Sequence, residues 1–344
     1  MRFSSVAIAA EGYFLPPRIL RSEELEQRME PLYRRLGLST GRLELMSGIA
    51  ERRVGEPGTR PSELSLRAAQ HALARTSFPR ERIGMLVHAA VCRDFLEPAT
   101  ASVVHAGLEL SPECELFDLS NACLGFANAL SLVASRIELG AIEAGLVVSG
   151  EDGAPLLEAT LEALRRIERG GREELKRAYA SLTIGSGASA MLLTHVRHAP
   201  HAPRLVGGLT LAASEHHRLC RGDQQGQGGP LMETDSQALL EAGNALAERT
   251  WPRFLRELGW SGVDKFVTHQ VGSAHKRLLC ETLRLDPARD FPTVAFLGNV
   301  GSVSLPISFT LAREQGFFAP GERIGLLGIG SGINCSMLGV ETHA

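Results

Sequence analysis

Glu115-Leu116-Phe117-Asp118-Leu119-Ser120-Asn121-Ala122-Cys123-Leu124-Gly125-Phe126 changes periodicity at its midpoint, and the rest of the chain can be read outward from that change. Up to Leu119 the run reads as a short extended segment. Beyond Cys123, apolar residues recur at helical spacing: Leu124, Ala127, Leu130, Ala134 and Ile137. A strand therefore hands over to a helix at Cys123. A sulfur at the first turn of a helix faces unpaired backbone N–H groups and the positive end of the helix dipole, and both favour the thiolate. Ala122 and Gly125 are small and let a substrate approach closely. A free cysteine is equally at home as a small core residue, so its role depends on what else is placed beside it.

The same strand-to-loop pattern occurs twice along the chain. Ile83-Gly84-Met85-Leu86-Val87-His88 is matched by Lys265-Phe266-Val267-Thr268-His269-Gln270, aligning His88 with His269. Leu116-Phe117-Asp118 aligns with Ala295-Phe296-Leu297, and Gly145-Leu146-Val147-Val148 with Gly325-Leu326-Leu327-Gly328. All three matches share an offset of about 180 residues, which predicts two related halves, 1–195 and 196–344. The strands Ile83–Val87, Gly145–Val148 and Ile324–Leu327 are almost continuously apolar, so each half is expected to be an α/β layer with helices on both faces of its sheet. Arg60 to Thr76 reads as one such helix, with Leu64, Leu66, Ala69 and Leu73 inward. Arg323 to Leu338 reads as two strands joined by a Gly-rich turn. The halves are unequally decorated. Residues 151–181 form a charged helical insertion, expected as a solvated face or lid, and 214–230, with Gly222, Gly226, Gly228 and Gly229, reads as a long loop.

Composition excludes several classes. A length of 344 residues gives ample core, and 44% hydrophobic with 22% charged residues is ordinary for a soluble protein. A net charge of -3 gives no sign of nucleic-acid binding. The six cysteines form no C-x-x-C pair and no finger-like spacing, so neither a disulfide framework nor a metal site is expected. Ser5-Val6-Ala7-Ile8-Ala9-Ala10 is too short for a signal peptide and is closed by Glu11, so it reads as the first strand. No apolar run approaches the ~18 residues of a membrane span. A cytoplasmic location is the expectation.

The duplication sets three polar groups at corresponding loop ends: Cys123, His269 after Phe266-Val267-Thr268, and Asn299 after the presumed strand Phe296-Leu297. Singly, His269 is an ordinary histidine and Asn299 beside Gly298 ordinary turn chemistry. Together they are coherent: a thiolate accepts an acyl group while imidazole and carboxamide N–H groups hold a carbonyl oxygen as it turns negative. Backbone N–H groups of Cys123 and Ser331 would supply a second such site.

Asn121-Ala122-Cys123-Leu124-Gly125-Phe126, Thr268-His269-Gln270, Gly298-Asn299-Val300-Gly301 and Gly328-Ile329-Gly330-Ser331-Gly332 resemble the thiolase superfamily, in particular its ketoacyl synthase III branch with a Cys–His–Asn triad. The resemblance runs through nearly the whole chain. It implies a five-layered αβαβα fold, a homodimer, and acyl transfer through an acyl-cysteine, with coenzyme A thioesters as substrates and no metal or redox cofactor.

Cys92-Arg93-Asp94-Phe95-Leu96-Glu97-Pro98-Ala99-Thr100-Ala101-Ser102 is similar to the OleA-type thiolases of olefin and β-lactone biosynthesis, as are Leu219-Cys220-Arg221-Gly222 and Ile333-Asn334-Cys335-Ser336-Met337. In the family this loop reaches into the partner's active site, and decarboxylating synthases carry an apolar residue where Glu97 stands. Chemistry gives the difference its weight: malonyl donors generate a carbanion by losing carbon dioxide, whereas a simple acyl-CoA must surrender an α-proton to a base. The resemblance thus implies condensation of two fatty acyl-CoA molecules without decarboxylation, with Glu97 as base across the interface and release of a β-keto acid to downstream pathway enzymes. Arg221 is the expected contact for coenzyme A phosphates. The rival readings are a ketoacyl synthase III using malonyl-ACP, a hydroxymethylglutaryl-CoA-synthase-like condensation, and an acyl-binding scaffold subunit that keeps the fold.

Overall fold

The computed structural model describes residues 1–223 and 231–343; Gly226, Gly228 and Gly229 of the predicted long loop lie outside the described residues. Among the described residues nine strands form the main sheet: β1 (Val6–Phe14), β2 (Met85–His88), β3 (Glu115–Asp118), β4 (Ala144–Glu151), β5 (Gly187–His195), β6 (Arg204–Ala212), β7 (Lys265–Thr268), β8 (Arg323–Gly330) and β9 (Asn334–Glu341). Their spatial order is β7-β8-β9-β6-β1-β5-β4-β2-β3. A single pair, Ala7 opposite Arg204, joins β1 to β6, so the sheet is two half-sheets meeting at one seam.

Each half repeats one plan. β2 runs parallel to β4, and β4 and β1 flank β5 antiparallel; likewise β7 runs parallel to β8, and β8 and β6 flank β9 antiparallel. The strands of β4 and β8 are apolar and buried almost throughout because helices cover both faces. One outer layer packs the helices Pro61–Leu73 and Thr100–Leu108 on the first half-sheet through Leu64, Ala68, Val104 and Leu108. The other packs Ser236–Leu258 and Ser273–Leu283 on the second through Leu246, Phe254, Leu279 and Leu283. Between the half-sheets, Gly125–Glu138 and Ser304–Glu314 share one core, with Phe126, Leu130, Val133 and Phe309 meeting Val147 and Met191 from one side and Leu326 and Leu338 from the other. These are the five αβαβα layers.

The strand ladders correct the sequence alignment in two places. Ala89 N–H donates to Val148 O at 2.8 Å and His269 N–H to Leu327 O at 2.9 Å, so His269 corresponds to Ala89, and His88 to Thr268. In an extended chain a slip of one residue reverses the side chain's face; His88 accordingly turns to Asp118, 3.7 Å away. The second correction concerns Ala295-Phe296-Leu297, which forms a helical turn, Val294–Leu297, rather than a strand. The second half's counterpart of β3 is reduced to one bridge, Asp290 beside Phe266.

The 151–181 insertion is also less solvated than its charge predicts. Its helix Ala154–Arg165 buries Leu157, Leu161 and Leu164 against Leu25, Leu32 and Tyr33, and the second helix, Arg172–Ala178, rests only the partly buried Leu175 and Ala178 on the same core. Within the expected loop at 214–230, Ser214–Leu219 is a short helical segment and Cys220–Asp223 a strand that pairs antiparallel with Leu231–Thr234, just beyond the loop. No described helix is long and apolar enough to cross a membrane.

Candidate active site

Parallel strands β2, β4, β7 and β8 all end on the side where the predicted polar groups lie, the usual position for a site in such sheets. Cys123 sits in a tight elbow between β3 and its helix. Ala122 is left-handed with φ 45°, a conformation costing about 1 kcal/mol for a residue with a Cβ. The helix begins only at Gly125, capped by Leu124, so Cys123 precedes the first turn instead of occupying it. Burial pushes the Cys123 thiol up to about 12, with Glu151 and Cys220 adding to the rise, and its own backbone N–H does not offset this.

The Gly-rich turn predicted to carry Ser331 packs directly on this elbow. A Cβ on Gly330 would stand 2.9 Å from Leu124 Cγ, so only glycine allows the approach. Asn334 Nδ2 donates to Asn121 Oδ1 at 3.1 Å, and Asn121 Nδ2 donates to Asn128 Oδ1 at 2.7 Å. The three asparagines tie turn, elbow and helix together. The structure thus brings Cys123 and Ser331 into neighbouring backbone.

His269 ends β7 and is 2% exposed, with both ring nitrogens unpartnered among the described residues. Burial, with His275 nearby, pulls its pKa down to about 3, so the ring is neutral and carries one donor and one acceptor nitrogen. Its neighbours hold it in place. Asp290 accepts from Thr268 N–H at 3.1 Å and pairs with Lys276 at 2.9 Å. Gln270 Oε1 accepts from the N–H groups of Thr293 and Val294, both at 2.9 Å, and its Nε2 donates to Phe291 O at 2.7 Å.

Asn299 follows the helical turn Val294–Leu297 through Gly298, whose φ of 68° and approach to Thr183 O exclude a side chain. Its backbone bridges Thr183 and Gly185, and its Oδ1 accepts from Gly301 N–H at 3.1 Å. With the oxygen so engaged, the amide NH2 is the group available to a ligand.

Glu97 is exposed. It lies on an exposed tip, Phe95–Pro98, whose roots are well anchored. Ser62 donates to Asp94 from N–H at 2.9 Å and Oγ at 2.5 Å, and the N–H groups of Thr100 and Ala101 donate to Asp118 at 2.9 and 2.8 Å. Val91 and Cys92 donate to Glu151. Leu96 is 94% exposed and Val91 55%, an apolar projection of the kind that marks an interface.

Arg221 is exposed on the short strand Cys220–Asp223, 3.8 Å from Glu233. It lines a groove of about 610 Å³ with Arg177, Ile167 and Met232, formed by the insertion helices and this hairpin. Alternation along the strand separates Cys220, which influences Cys123, from Arg221 at the groove. The sequence reading did not identify Glu151, Gln270 or the Asn121–Asn334 pair. For Glu151 the available signal was a charged residue closing an apolar strand.

Comparison with known proteins fits this geometry. Residues 117–205 match the family model of 3-oxoacyl-[acyl-carrier-protein (ACP)] synthase III, and residues 256–341 match that of its C-terminal part. The chain is 38% identical to an acyl-CoA:acyl-CoA alkyltransferase of Shewanella oneidensis, covering 99% of this chain and 100% of the relative. It is 39% identical to one from Xanthomonas campestris, covering 98% of each. A beta-ketoacyl-[acyl-carrier-protein] synthase III of Rhodospirillum rubrum is 27% identical. Cerulenin-bound OleA of Xanthomonas superposes with a TM-score of 0.94 at 38% identity, covering 99% of this chain and 98% of that one. Other structures of that protein carry single substitutions at a glutamate, a cysteine or a histidine, and one contains lauric acid and lauroyl-CoA. The chain belongs to the OleA-type acyl-CoA:acyl-CoA alkyltransferases of the thiolase-like fold.

Proposed function

We propose that this protein condenses two fatty acyl-CoA molecules without decarboxylation, through an acyl-Cys123 intermediate, as a homodimer in which Glu97 of the partner subunit is the base. The observation that carries the reading is the Glu97 tip: a carboxylate held out on an exposed, anchored apolar projection. The glutamate and cysteine substituted in the Xanthomonas protein are separated by 26 positions, as are Glu97 and Cys123.

In the first half-reaction Cys123 Sγ attacks the thioester carbonyl, the C–S bond to coenzyme A breaks, and the thiol proton ends on the departing coenzyme A sulfur. The backbone N–H groups of Cys123 and Ser331 receive the transient oxyanion. In the second half-reaction a second acyl-CoA loses its α-proton to Glu97 of the partner subunit. Neutral His269 and the Asn299 amide donate to the enolate oxygen. The α-carbon attacks acyl-Cys123, a C–C bond forms, the bond to Cys123 Sγ breaks, the proton taken up by Glu97 returns to the released thiolate, and the β-ketoacyl-CoA leaves. Hydrolysis of its thioester gives a β-keto acid and free coenzyme A. Arg221 and Arg177 suit the coenzyme A phosphates at the groove mouth. The chemistry calls for no metal or redox cofactor.

Incubation with myristoyl-CoA alone is the test. Free coenzyme A together with a ketone after heating is the expected result; condensation only when a malonyl thioester is added overturns the reading in favour of a decarboxylating synthase.

A further inference from the structure

Glu151 closes β4 at 4% exposure, and no step above uses it. A buried carboxylate is costly unless its oxygens are satisfied. Here four donors serve it. Val91 N–H reaches Oε1 at 3.0 Å and Cys92 N–H reaches Oε2 at 3.1 Å. Ser302 gives Oε1 its N–H at 3.3 Å and its hydroxyl at 2.5 Å. No arginine or lysine is among these partners. Ser302 Oγ also lies 2.8 Å from Ser149 Oγ, two residues back along the same strand.

The two sets of donors come from segments far apart in sequence. Val91 and Cys92 are the root of the loop that carries Glu97. Ser302 follows Gly301, whose N–H fixes the Asn299 side-chain oxygen. We propose that Glu151 is a positioning residue for condensation, a strut at the end of β4 that locks the Asn299 turn and the root of the Glu97 loop into one rigid unit. The inference rests on the functional reading above and deepens it. Since Glu97 is lent to the other subunit, the strut mechanically joins a subunit's own enolate site to the base it supplies across the dimer. Charge-assisted bonds to backbone N–H groups suit the task, being short and directional. An amide in its place would turn an N–H2 group toward donors.

Burial first, and then the Glu151 carboxylate, push the thiols of Cys92 and Cys123 up. Removing its charge therefore has a signature that loss of packing does not produce. The experiment compares Glu151→Gln, Glu151→Asp and Ser302→Ala with the wild type. Acylation of Cys123 by myristoyl-CoA is read by intact mass, condensation by ketone yield, and Cys123 reactivity by iodoacetamide alkylation from pH 6 to 10. All three variants are expected to acylate within about threefold of wild type. Condensation per acylated subunit should fall at least thirtyfold in the Glu151 variants and several-fold in Ser302→Ala. The alkylation profile should move to lower pH in Glu151→Gln alone, because Glu151→Asp keeps the charge and loses the reach. Should Glu151→Gln fail to fold, the other two variants decide. Condensation within twofold of wild type in both Glu151→Asp and Ser302→Ala, or an unmoved alkylation profile in a folded Glu151→Gln, overturns the proposal. A wild type that condenses only with a malonyl thioester sinks the functional reading instead, and the alkylation profiles still report on Glu151.

Discussion

Replacing Glu97 by alanine separates the two half-reactions. The side chain is exposed and holds none of the bonds that anchor its loop, which run through Asp94, Thr100, Asp118 and Glu151. Its loss should change folding stability by no more than about 0.5 kcal/mol, a shift of only a degree or two in a chain of this size. Loss of a general base costs about 10²- to 10⁴-fold, or roughly 3–5 kcal/mol of barrier. Acylation draws only on the subunit's own residues, so Glu97→Ala should still load one acyl group on Cys123 while ketone formation collapses. Glu97→Asp should fall between, since a retreat of about one carbon is itself enough to cost up to 10²-fold. Mixing subunits tests the direction of the base. A Glu97→Ala chain has its cysteine and a Cys123→Ala chain has its glutamate, so a randomly assorted mixture of the two should regain about a quarter of wild-type activity, one working site in half of the dimers. No recovery would place the base in its own subunit. Condensation by Glu97→Ala within threefold of wild type would remove Glu97 from the chemistry.

Burial holds His269 down to about 3 and His88 and His275 down to about 4. The unfolded chain protonates these rings near 6.5 and the folded one does not, so stability is full above that pH and drains away below it, by up to about 4 kcal/mol per pH unit for the three. Glu11 and Asp290, raised by burial, oppose this and soften the slope. Urea midpoints at pH 7 and 5.5 should therefore differ, and coincident midpoints would refute neutral burial. Gly330→Ala forces a Cβ against Leu124, at an expected cost of about 1–3 kcal/mol and at least tenfold slower acylation; an unchanged acylation rate would detach the Gly-rich turn from the site. Gln270→Ala strands the buried N–H groups of Thr293 and Val294 and the carbonyl of Phe291, with an expected loss of about 2–4 kcal/mol in denaturant titrations. A loss below 1 kcal/mol would mean that the segment finds other partners.

Much of this was legible in the residues. Apolar strands such as Leu146–Val148 and Leu326–Leu327 declare burial on both faces through composition alone, and the repeat fixes their connectivity. The switch of periodicity at Cys123 located the elbow. What failed was register and environment. Aligning His88 with His269 relied on matching letters, whereas the ladder aligns backbone, and Ala89 offers no letter to match. Phe296 looked like Phe117 because helical turn and strand both accept a short apolar run. The surroundings of the thiol were hidden for a different reason: local dipoles are readable near Cys123, but Glu151 approaches from another strand, and desolvation depends on the whole core. The same holds for Glu151 and the asparagine pair, whose partners are more than 50 residues away.

The half-sheets also differ in how they withstand change. β3 is held to β2 by backbone ladder bonds, which most substitutions leave intact. In the second half that strand has dwindled to a bridge at Asp290, and the segment beyond it coils on toward Asn299. The side-chain amide of Gln270 stands in for the missing neighbour, accepting twice and donating once as a peptide edge would. One half thus distributes its edge over many interchangeable residues, and the other concentrates it in two side chains, Gln270 and Asp290. Sequence drift at that edge should be free in the first copy and tightly policed in the second, although both descend from the same plan.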